Sequence, residues 1–362
     1  METENLPGIF ACFNTESSFL SATRIGSGHI NDSYKVDATD GRQFVLQRIN
    51  SHVFKDVPGL MWNIFRVTDH LDCKIRDGVP QAAGLQALRL IPAKNRNRYI
   101  EDDKGGFWRL YNYIAGTKSY DIVTDPALAF EGGRVFGQFQ LLTADMPGNA
   151  LTETIPHFHD IGTRLGSFRE TIHRNPLHRC AAADKEICFI QERAEEMQTI
   201  LRLAKENSIP LRVTHNDTKF NNILFDENNK AVCIVDLDTV MPGYVLYDFG
   251  DAIRTGANTG AEDEEDLSKV GISMELFEAY SRGYLGIAKE FLTETEKAHL
   301  AFSAKFMTYI IGLRFLTDYL NGDHYFRIHK PDHNLIRARA QFRLLENMED
   351  QFNLMEQIIR VG

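Results

Sequence analysis

The residues best suited to chemistry lie in one short segment, which reads His-Asn-Asp-Thr-Lys-Phe-Asn-Asn over positions 215–222. An apolar run then leads to Asp236. Phosphoryl transfer needs a carboxylate that accepts a proton from a substrate hydroxyl, together with an amide and a second carboxylate that hold Mg²⁺ against nucleotide phosphates. Asp217, Asn222 and Asp236 supply these types in this order. The segment therefore predicts phosphoryl transfer, with Asp217 as the base and Asn222 and Asp236 as metal ligands.

The sequence around the motif supplies the strands and the turn that such a site requires. Two apolar runs, one turn signal and one short buried strand are predicted in order at 209–213, 223–225, 226–230 and 231–235. Asp236 thus ends a strand beside the loop that carries Asp217. The alternative is that Asp217 and His215 only brace a loop, and the order of strand, loop and acid favours the catalytic interpretation.

Composition narrows the class of protein. The chain has 362 residues, a formal net charge of −10, 43% hydrophobic and 25% charged residues, which suggests two lobes and argues against nucleic-acid binding. No apolar run approaches the roughly 20 residues that span a bilayer, and the acidic amino terminus does not resemble a signal peptide. The scattered cysteines form no Cys-x-x-Cys pair and are typical of reduced thiols. We therefore expect a cytoplasmic monomer with neither nucleic-acid nor membrane partners.

The pattern changes along the chain from strands to helices. Residues 1–114 alternate strand and turn signals around one predicted helix at 58–76, and helical periodicity dominates 115–362. This order predicts an α+β fold of the bilobal protein-kinase type, with a β-rich N-terminal lobe that binds nucleotide and a mainly helical C-terminal lobe. The helices predicted in the second lobe cover roughly 126–143, 157–172, 185–204, 273–290, 295–321 and 334–360. The acidic run 262–266 is expected to open a helix, where carboxylates face the positive end of the dipole.

The first lobe carries candidate phosphate contacts. Gly26, Ser27 and Gly28 lie between two predicted strands and suit a loop whose backbone N–H groups approach phosphate oxygens, although a Gly-x-Gly is equally typical of a hairpin turn. The following strand places Gln47 where protein kinases have a lysine, and the helix at 58–76 offers no glutamate to pair with it. Either the Gln47 amide reaches the phosphates or a cation from elsewhere does so.

The end of the first lobe is the predicted adenine site. The strand at 108–114 leads into Ala115-Gly116, which breaks the pattern and is predicted to be the hinge. Tyr111 and Ile114 stand just before this hinge and are predicted nucleotide contacts. No Ala-Pro-Glu signature follows, so an ordinary protein kinase is not expected.

With these pieces assembled, the chain resembles the aminoglycoside phosphotransferase and choline kinase superfamily, and within it the N-acetylhexosamine 1-kinases. The resemblance covers most of the chain and is densest in the second half. Its carriers are Gly28–Asn31, Leu151–Ile155, Leu211–Leu224, Asp236–Gly243, Tyr247–Asp251, Asp266–Val270, Arg314–Phe326 and His333–Arg337. The segment from Arg314 to Phe326 distinguishes hexosamine kinases within this resemblance.

The resemblance implies ATP and Mg²⁺ as cofactors and a small sugar as substrate. It implies that Asp217 orients the sugar hydroxyl and accepts its proton, that Asp238 is an auxiliary acid near the metal beside Asn222 and Asp236, and that Asp248 braces the catalytic loop. The residues expected to contact the sugar, in addition to Asp217, are His29, Asn31, Arg314 and Tyr325.

Several alternatives stay open at this point. Arg314 stands four residues before Asp318, so a plain helix ion pair would also explain it, and Tyr325 is of a type often found half-buried in a core. Kinases for choline, homoserine, methylthioribose or aminoglycosides share the expected fold, and the acidic run 262–266 would suit a cationic substrate. A nucleotide-binding protein without activity is the rival from another class, prompted by Gln47.

Overall fold

An antiparallel sheet forms the N-terminal part of the protein. The structure is a computed structural model and describes residues 5–25 and 30–362. The strands of the sheet are β1 Phe19–Arg24, β2 Asp32–Ala38, β3 Gln43–Ile49, β4 Leu90–Ile91, β5 Ile100–Glu101 and β6 Phe107–Asn112. Their order is β1-β2-β3-β6-β4, and β5 also pairs with β6. One face buries Leu46, Trp108 and Leu110, so the opposite face of β3 and β6 is directed to the rest of the protein.

Two helices accompany this sheet, α1 Leu6–Phe10 and α2 Val57–Arg76. The helix α2 begins after Asp56, whose side chain accepts the Gly59 N–H, as N-cap residues do. In its middle, the fully buried Asn63 side chain donates to the carbonyl oxygens of Thr152 at 2.7 Å and Val240 at 3.0 Å. An amide therefore ties α2 to the C-terminal part.

The C-terminal part is mainly helical. Its helices are α3 Pro126–Thr143, α4 Ile161–Arg174, α5 Asp184–Arg193, α6 Thr199–Lys205, α7 Val245–Gly256, α8 Met274–Ala288, α9 Glu294–Ala298, α10 Leu300–Asn321, α11 His333–Asp350 and α12 Phe352–Val361. Its short strands form two antiparallel pairs, β7 Arg212–Thr214 with β10 Met241–Gly243 and β8 Ile223–Phe225 with β9 Ala231–Ile234. The predicted α+β architecture is confirmed, and a lobe boundary at residue 114 stays a prediction.

Three of the predicted helices are in fact pairs. The structure interrupts 185–204 near Ala194, 295–321 at His299 and 334–360 at Gln351. The two helices of each pair bury apolar side chains at similar spacing, so the apolar periodicity continues through the break. The sequence pattern therefore does not reveal where one helix ends and the next begins. The break at His299 follows the short helix α9, which has its own capping box between Thr293 and Glu296.

The acidic run 262–266 does not open an α-helix, although its last residue, Asp266, caps the one-turn 3₁₀ helix Leu267–Lys269. It lies in the loop between α7 and α8, where nearby cations compensate its charges. Glu262 pairs with Arg254 at 3.2 Å and Glu265 pairs with Lys330 at 2.7 Å, while Asp263 lies 2.9 Å from His333 Nε2. Side chains from α7 and from the segment at 330–333 thus satisfy most of these acids.

The helix α10 is the centre of the C-terminal part. Among residues 5–25 and 30–362 it is the one helix long and apolar enough to cross a membrane by length and composition, and 94% of its most apolar window is buried inside the protein. It packs against α4, α7 and α11. Its apolar character is thereby accounted for by the core that it forms.

Candidate active site

The loop between β7 and β8 begins with His215, which is completely buried. Its Nε2 donates to the carbonyl oxygen of Val235 at 3.0 Å, and its Nδ1 accepts the backbone N–H of Asp217 at 3.3 Å. The rings of Phe136 and Phe139 meet it edge-on. His215 therefore supports the loop from inside and leaves Asp217 as the residue that faces outward.

Asp248, on α7, holds the same loop from behind. Its carboxylate accepts the backbone N–H groups of His215 at 2.9 Å and Asn216 at 2.7 Å, and the Gln140 side chain at 2.9 Å. Burial raises the pKa of Asp248, and these donors oppose the shift. Asn216 takes the left-handed conformation, with φ of 63°, and its side chain donates to the Thr239 carbonyl at 3.0 Å. The conformation of the loop is thus fixed by buried hydrogen bonds.

The ring of Phe220 anchors the far end of the loop between two helices. It is buried between Gly132 of α3 and Gly256 of α7. A Cβ on Gly132 would lie 2.4 Å from the ring, and a Cβ on Gly256 would lie 2.3 Å from it. Only glycine leaves room for the ring at these two positions.

Asp217 stands at the centre of a small polar cluster, and 26% of its side chain is exposed. The Asn222 side chain donates to the Asp217 carbonyl at 2.9 Å and to its carboxylate at 3.2 Å. Lys219 lies 3.1 Å from the other carboxylate oxygen, and Asp217 raises the pKa of this lysine. The predicted base and its predicted neighbour Asn222 are therefore in contact, and a cation joins them.

Asp236 follows β9 in a left-handed conformation, with φ of 58°. Loss of water around its carboxylate, together with the like charges of Asp238 and Asp217, raises the pKa of Asp236 to about 7. Within the described ranges, no group of three or more His, Cys, Asp or Glu side chains has metal-binding geometry. The oxygens of Asn222 and Asp236 are nevertheless hard donors of the type Mg²⁺ takes, and this ion commonly completes its coordination with water and nucleotide phosphates.

Asp238 is buried beside Asp236 and has partners on both carboxylate oxygens. One oxygen lies 2.5 Å from the Arg109 guanidinium, and the other accepts the Asn31 side chain at 2.6 Å. The Asn31 oxygen in turn accepts the backbone N–H of Asn50 at 3.0 Å. Both polar atoms of the Asn31 side chain are therefore engaged within the protein, and its role toward substrate stays a prediction.

Gln47 of β3 and Arg109 of β6 are directly paired on neighbouring antiparallel strands, so their side chains lie on the same face of the sheet. The Gln47 amide donates to the Ser33 hydroxyl at 2.8 Å and accepts from Arg109 Nε at 3.0 Å. The next pair on the same face includes Tyr111, whose ring centre lies 5.3 Å from the Arg109 guanidinium and whose pKa is raised by burial. Ile114 is buried, and its carbonyl accepts the Thr117 hydroxyl at 2.7 Å.

Arg314 of α10 is buried among aromatic rings. Its guanidinium lies 4.8 Å from the ring centre of Phe158, 5.5 Å from that of Phe326 and 5.6 Å from that of Tyr325. Its Nη2 donates to the Tyr325 hydroxyl at 3.4 Å, and burial lowers its pKa. Tyr325 itself is 57% exposed, which is not the half-buried core position that was the alternative for it.

The alternative ion pair between Arg314 and Asp318 does not form. The buried Asp318 carboxylate instead accepts the consecutive backbone N–H groups of residues 324–326 at 2.9–3.0 Å and the Asn334 side chain at 2.9 Å. Among the described residues Arg314 forms no ion pair within 4.0 Å, and the carboxylate that acts on its charge from farther away is that of Asp251. Asp318 thus shapes the segment that carries Tyr325 and leaves the Arg314 charge without an acidic partner there.

His159 connects this arginine region with the catalytic loop. Its Nε2 donates to the Asn216 carbonyl at 3.2 Å, and its Nδ1 has no hydrogen-bond partner among the described residues. Burial, with the positive charge of Arg314 next in size, lowers the pKa of His159 to about 3. Burial and Arg314 likewise lower the pKa of Arg164 to about 10. The region beside the loop therefore carries buried positive charge, and one buried histidine nitrogen there lacks a hydrogen-bond partner among the described residues.

A family model described as the phosphotransferase enzyme family matches residues 21–294. This range includes the sheet, the catalytic loop and Asp236. The chain belongs to this phosphotransferase family.

Solved structures agree with the phosphotransferase fold. An aminoglycoside phosphotransferase from Alicyclobacillus acidocaldarius matches with a TM-score of 0.64 and 11% identity, over 100% of this chain and 98% of that one. An amicoumacin kinase in complex with AMP-PNP, Ca²⁺ and amicoumacin matches at 0.59 and 14%, over 97% and 94%. A choline kinase from Cryptosporidium parvum matches at 0.58 and 13%, over 94% and 92%. At these identities the likeness establishes the fold, and the predicted kinase-like architecture is confirmed.

The structure of the phosphotransferase brings most of the predicted site residues together. Asp217, Asn222, Asp236 and Asp238 lie around one loop, and Gln47 and Tyr111 share the sheet face that carries Arg109. The predicted positions Gly26, Ser27, Gly28 and His29 lie outside the described residues. The individual roles of the site residues stay predictions.

The sequence interpretation missed three residues of this phosphotransferase site, Lys219, Arg109 and His159. Lys219 stands inside the motif, two positions after Asp217, and its position was a signal that could have been used. Arg109 was signalled by its charge, which stands between the apolar residues Trp108 and Leu110 of a strand. His159 has no local signal, because only the packing of α4 next to the loop places it there.

Proposed function

We propose that this phosphotransferase transfers the γ-phosphoryl group of ATP to the anomeric hydroxyl of an N-acetylhexosamine, GlcNAc or GalNAc. The proposal has two parts, the phosphoryl chemistry at Asp217 and the choice of acceptor beside Arg314. The single observation that supports the acceptor is the buried Arg314, which stacks on aromatic rings and lacks an acidic partner among the described residues.

The chemistry follows from the cluster around Asp217. Its carboxylate accepts the proton of the sugar hydroxyl as the oxygen bonds to the γ-phosphorus and the bond from phosphorus to the β-phosphate oxygen breaks. Asn222 and Asp236 would hold Mg²⁺, which when bound neutralises phosphate charge. The Asn222 nitrogen faces Asp217, so its amide oxygen is the atom left for the cation. Positioning and charge neutralisation then supply most of the rate.

ATP and a divalent cation fit the comparisons. The amicoumacin kinase structure contains AMP-PNP and Ca²⁺, and the fold is shared over nearly the whole of both chains. In the present protein, Lys219 lies 3.1 Å from Asp217, and Asp236 is close enough for the charges of both residues to affect its pKa. This arrangement offers both an anionic place for a cation and a positive group for a phosphate oxygen.

The acceptor is argued from charge and shape. Sugars bind where flat apolar faces meet a few fixed donors and acceptors, and the Arg314 region provides Tyr325, Phe326 and the guanidinium N–H groups together. An N-acetylhexosamine brings hydroxyl and acetamide oxygens that accept from a guanidinium. The positive region therefore favours a neutral acceptor rich in oxygen.

The same charges disfavour cationic acceptors. Choline and aminoglycosides would meet the positive charges of Arg314 and Arg164, on which the carboxylates of Asp251 and Asp160 act without forming an ion pair with either. Like charges in a largely buried region repel each other. The acidic run 262–266, which the sequence offered as a site for such substrates, already contacts Arg254, Lys330 and His333. Another small-molecule hydroxyl kinase of the same superfamily is the alternative, and a cationic substrate is the less favourable version of it.

An ATP-consumption assay over GlcNAc, GalNAc, glucosamine, choline, ethanolamine, homoserine and an aminoglycoside tests the proposal. We expect turnover with the N-acetylated sugars, and ³¹P NMR of the product should show an anomeric phosphate. A 6-phosphate signal would overturn the anomeric assignment, and turnover with choline or the aminoglycoside alone would overturn the sugar. Binding of ATP without consumption across the panel would contradict the kinase itself.

A further inference from the structure

The sheet presents a cation from an unexpected strand. Gln47 occupies the β3 position at which protein kinases carry a lysine, and the residue opposite it on β6 is Arg109. Arg109 is 1% exposed, donates through Nε to Gln47 at 3.0 Å and contacts Asp238 at 2.5 Å. A positive charge thus stands one strand away from the usual position, on the same face of the sheet.

The charges at this end of the site make such a cation necessary. The carboxylates of Asp217, Asp236 and Asp238 come close enough to influence one another, and the cations that act on Asp236 are Arg109 and Lys219. The polyphosphate of ATP adds several negative charges. Without Arg109, the incoming phosphates would meet three carboxylates opposed by Lys219 alone among these groups, and the repulsion would be large in a dry site.

The architecture does not need Arg109 to hold the helix α2 in place. In protein kinases a strand lysine pairs with a helix glutamate, and here the middle of α2 carries the neutral Asn63 instead. Asn63 attaches α2 to the backbone at Thr152 and Val240. The charge of Arg109 is therefore directed to Asp238 and the phosphate side of the site and not to the helix.

We propose that Arg109 replaces the missing β3 lysine as the positioning cation of the nucleotide site, holding Asp238 and offsetting the carboxylate charge so that the ATP polyphosphate can enter. The inference rests on the proposed use of ATP. Arg109 of β6 thus supplies the positive charge that the neutral Gln47 cannot supply. Gln47 orients Arg109, because its amide oxygen accepts a hydrogen bond from Arg109 Nε.

The test is nucleotide binding by calorimetry with Mg²⁺ and ATP, ADP, AMP or adenosine, on the full chain and on Arg109→Gln. We expect the ATP affinity to fall by about 10-fold or more, since one close charge is worth at least about a tenfold change. The loss should shrink as phosphates are removed, with adenosine affinity unchanged within about two-fold, and Arg109→Lys should recover most of the ATP affinity. Equal losses for ATP and adenosine, or none, would overturn the proposal.

The second measurement is the ATP affinity of a variant in which the positive charge is moved from β6 to β3. The double variant Gln47→Lys/Arg109→Gln returns the cation to β3, at the position that now contacts the Arg109 side chain, and should bind ATP more tightly than Arg109→Gln. It also decides the matter if Arg109→Gln does not fold, because it leaves no buried carboxylate unpaired. In that case ATP affinity within about three-fold of the parent supports the proposal, and a tenfold loss contradicts it.

A matched control variant and the parent protein distinguish failure of the Arg109 proposal from failure of the proposed function. Arg89→Gln removes the same charge from an exposed position that pairs with Asp72, and it should leave ATP affinity unchanged. A parent protein that does not bind ATP would contradict the proposed function. A parent that binds and consumes ATP, beside an Arg109→Gln variant that binds it equally well, would contradict the role of Arg109 alone.

Discussion

The side-chain amide of Asn222 donates to Asp217 twice, at 2.9 Å to its backbone carbonyl and at 3.2 Å to its carboxylate. The two bonds fix the direction of the carboxylate relative to the loop. They also keep the Asn222 nitrogen on the side of Asp217 and its oxygen on the other side. One side chain therefore orients the proposed base and offers an oxygen to a cation.

Replacement of Asp217 by Asn should abolish most of the chemistry and little of the binding. An amide cannot accept the hydroxyl proton, and loss of general-base catalysis costs roughly 10²-fold or more in turnover. We expect nucleotide affinity by calorimetry to stay within about two-fold. Asp103→Asn, the same change at an exposed turn position, is the control and should behave as the parent. Sugar turnover near the parent rate in Asp217→Asn would remove Asp217 from the role of base.

Replacement of Arg314 by Leu should separate acceptor binding from folding. Hydrogen bonds from a charged donor are worth about 1.5–3 kcal/mol, so kcat/KM for the hexosamine should fall by about 10- to 100-fold. The melting temperature should not decrease, because a buried charge without an acidic partner among the described residues is removed. Arg343→Leu on α11, where the arginine pairs with Glu346 at the surface, is the matched control. An unchanged kcat/KM in Arg314→Leu would exclude contact with the acceptor.

Replacement of Asp248 by Asn should loosen the catalytic loop. An amide accepts through one oxygen, so the N–H of His215 or Asn216 loses its buried partner, and the free energy of unfolding should fall by about 1–3 kcal/mol. Urea unfolding measures this loss, and hydrogen exchange at the two amides should accelerate. The exposed Asp103→Asn again serves as the reference. Unchanged exchange at both amides would show that the loop does not depend on Asp248.

Stability should decrease in acid because of His159. Its folded pKa of about 3 lies below the ordinary value near 6.5, so the unfolded chain takes up a proton that the folded protein does not. The contribution is fully present above about pH 6.5 and is lost as the pH falls toward 3, with a slope of up to about 1.4 kcal/mol per pH unit.

Urea unfolding at several pH values between 6.5 and 4 measures this slope. In His159→Gln the slope should be shallower by the amount that one proton contributes. His173→Gln, at an exposed position on α4, should keep the slope of the parent. Identical slopes in the parent and in His159→Gln would show that the histidine is not held neutral by the fold.

The parts that the sequence predicts well are local. Asp217 and Asn222 are separated by one turn of loop, and Asp236 follows a strand that pairs with the strand after that loop, so spacing alone brings them together. The helix α2 has a cap at Asp56 and a clear apolar face, and its predicted bounds agree with the structure within one residue.

The parts that the sequence does not predict depend on distant packing. Arg109 meets Asp238 only because β6 passes over the segment after β9, and no local pattern relates the two residues. The acidic run 262–266 was predicted to open a helix. Its partners Lys330 and His333 come from a later segment, so nothing near the run in the sequence indicates that they contact it. His159 is neutral and buried because of its surroundings, which the residues next to it in sequence do not specify.

The Phe220 ring between Gly132 and Gly256 has a consequence for the order of folding. The two glycines belong to helices far apart in the chain, and the ring has its place only when both have docked. The loop that carries Asp217 therefore depends on both helices, and we expect compact states that have formed helices without placing this ring to be inactive. During refolding, catalytic activity should appear later than helical content, at the moment when α3 and α7 close on the ring.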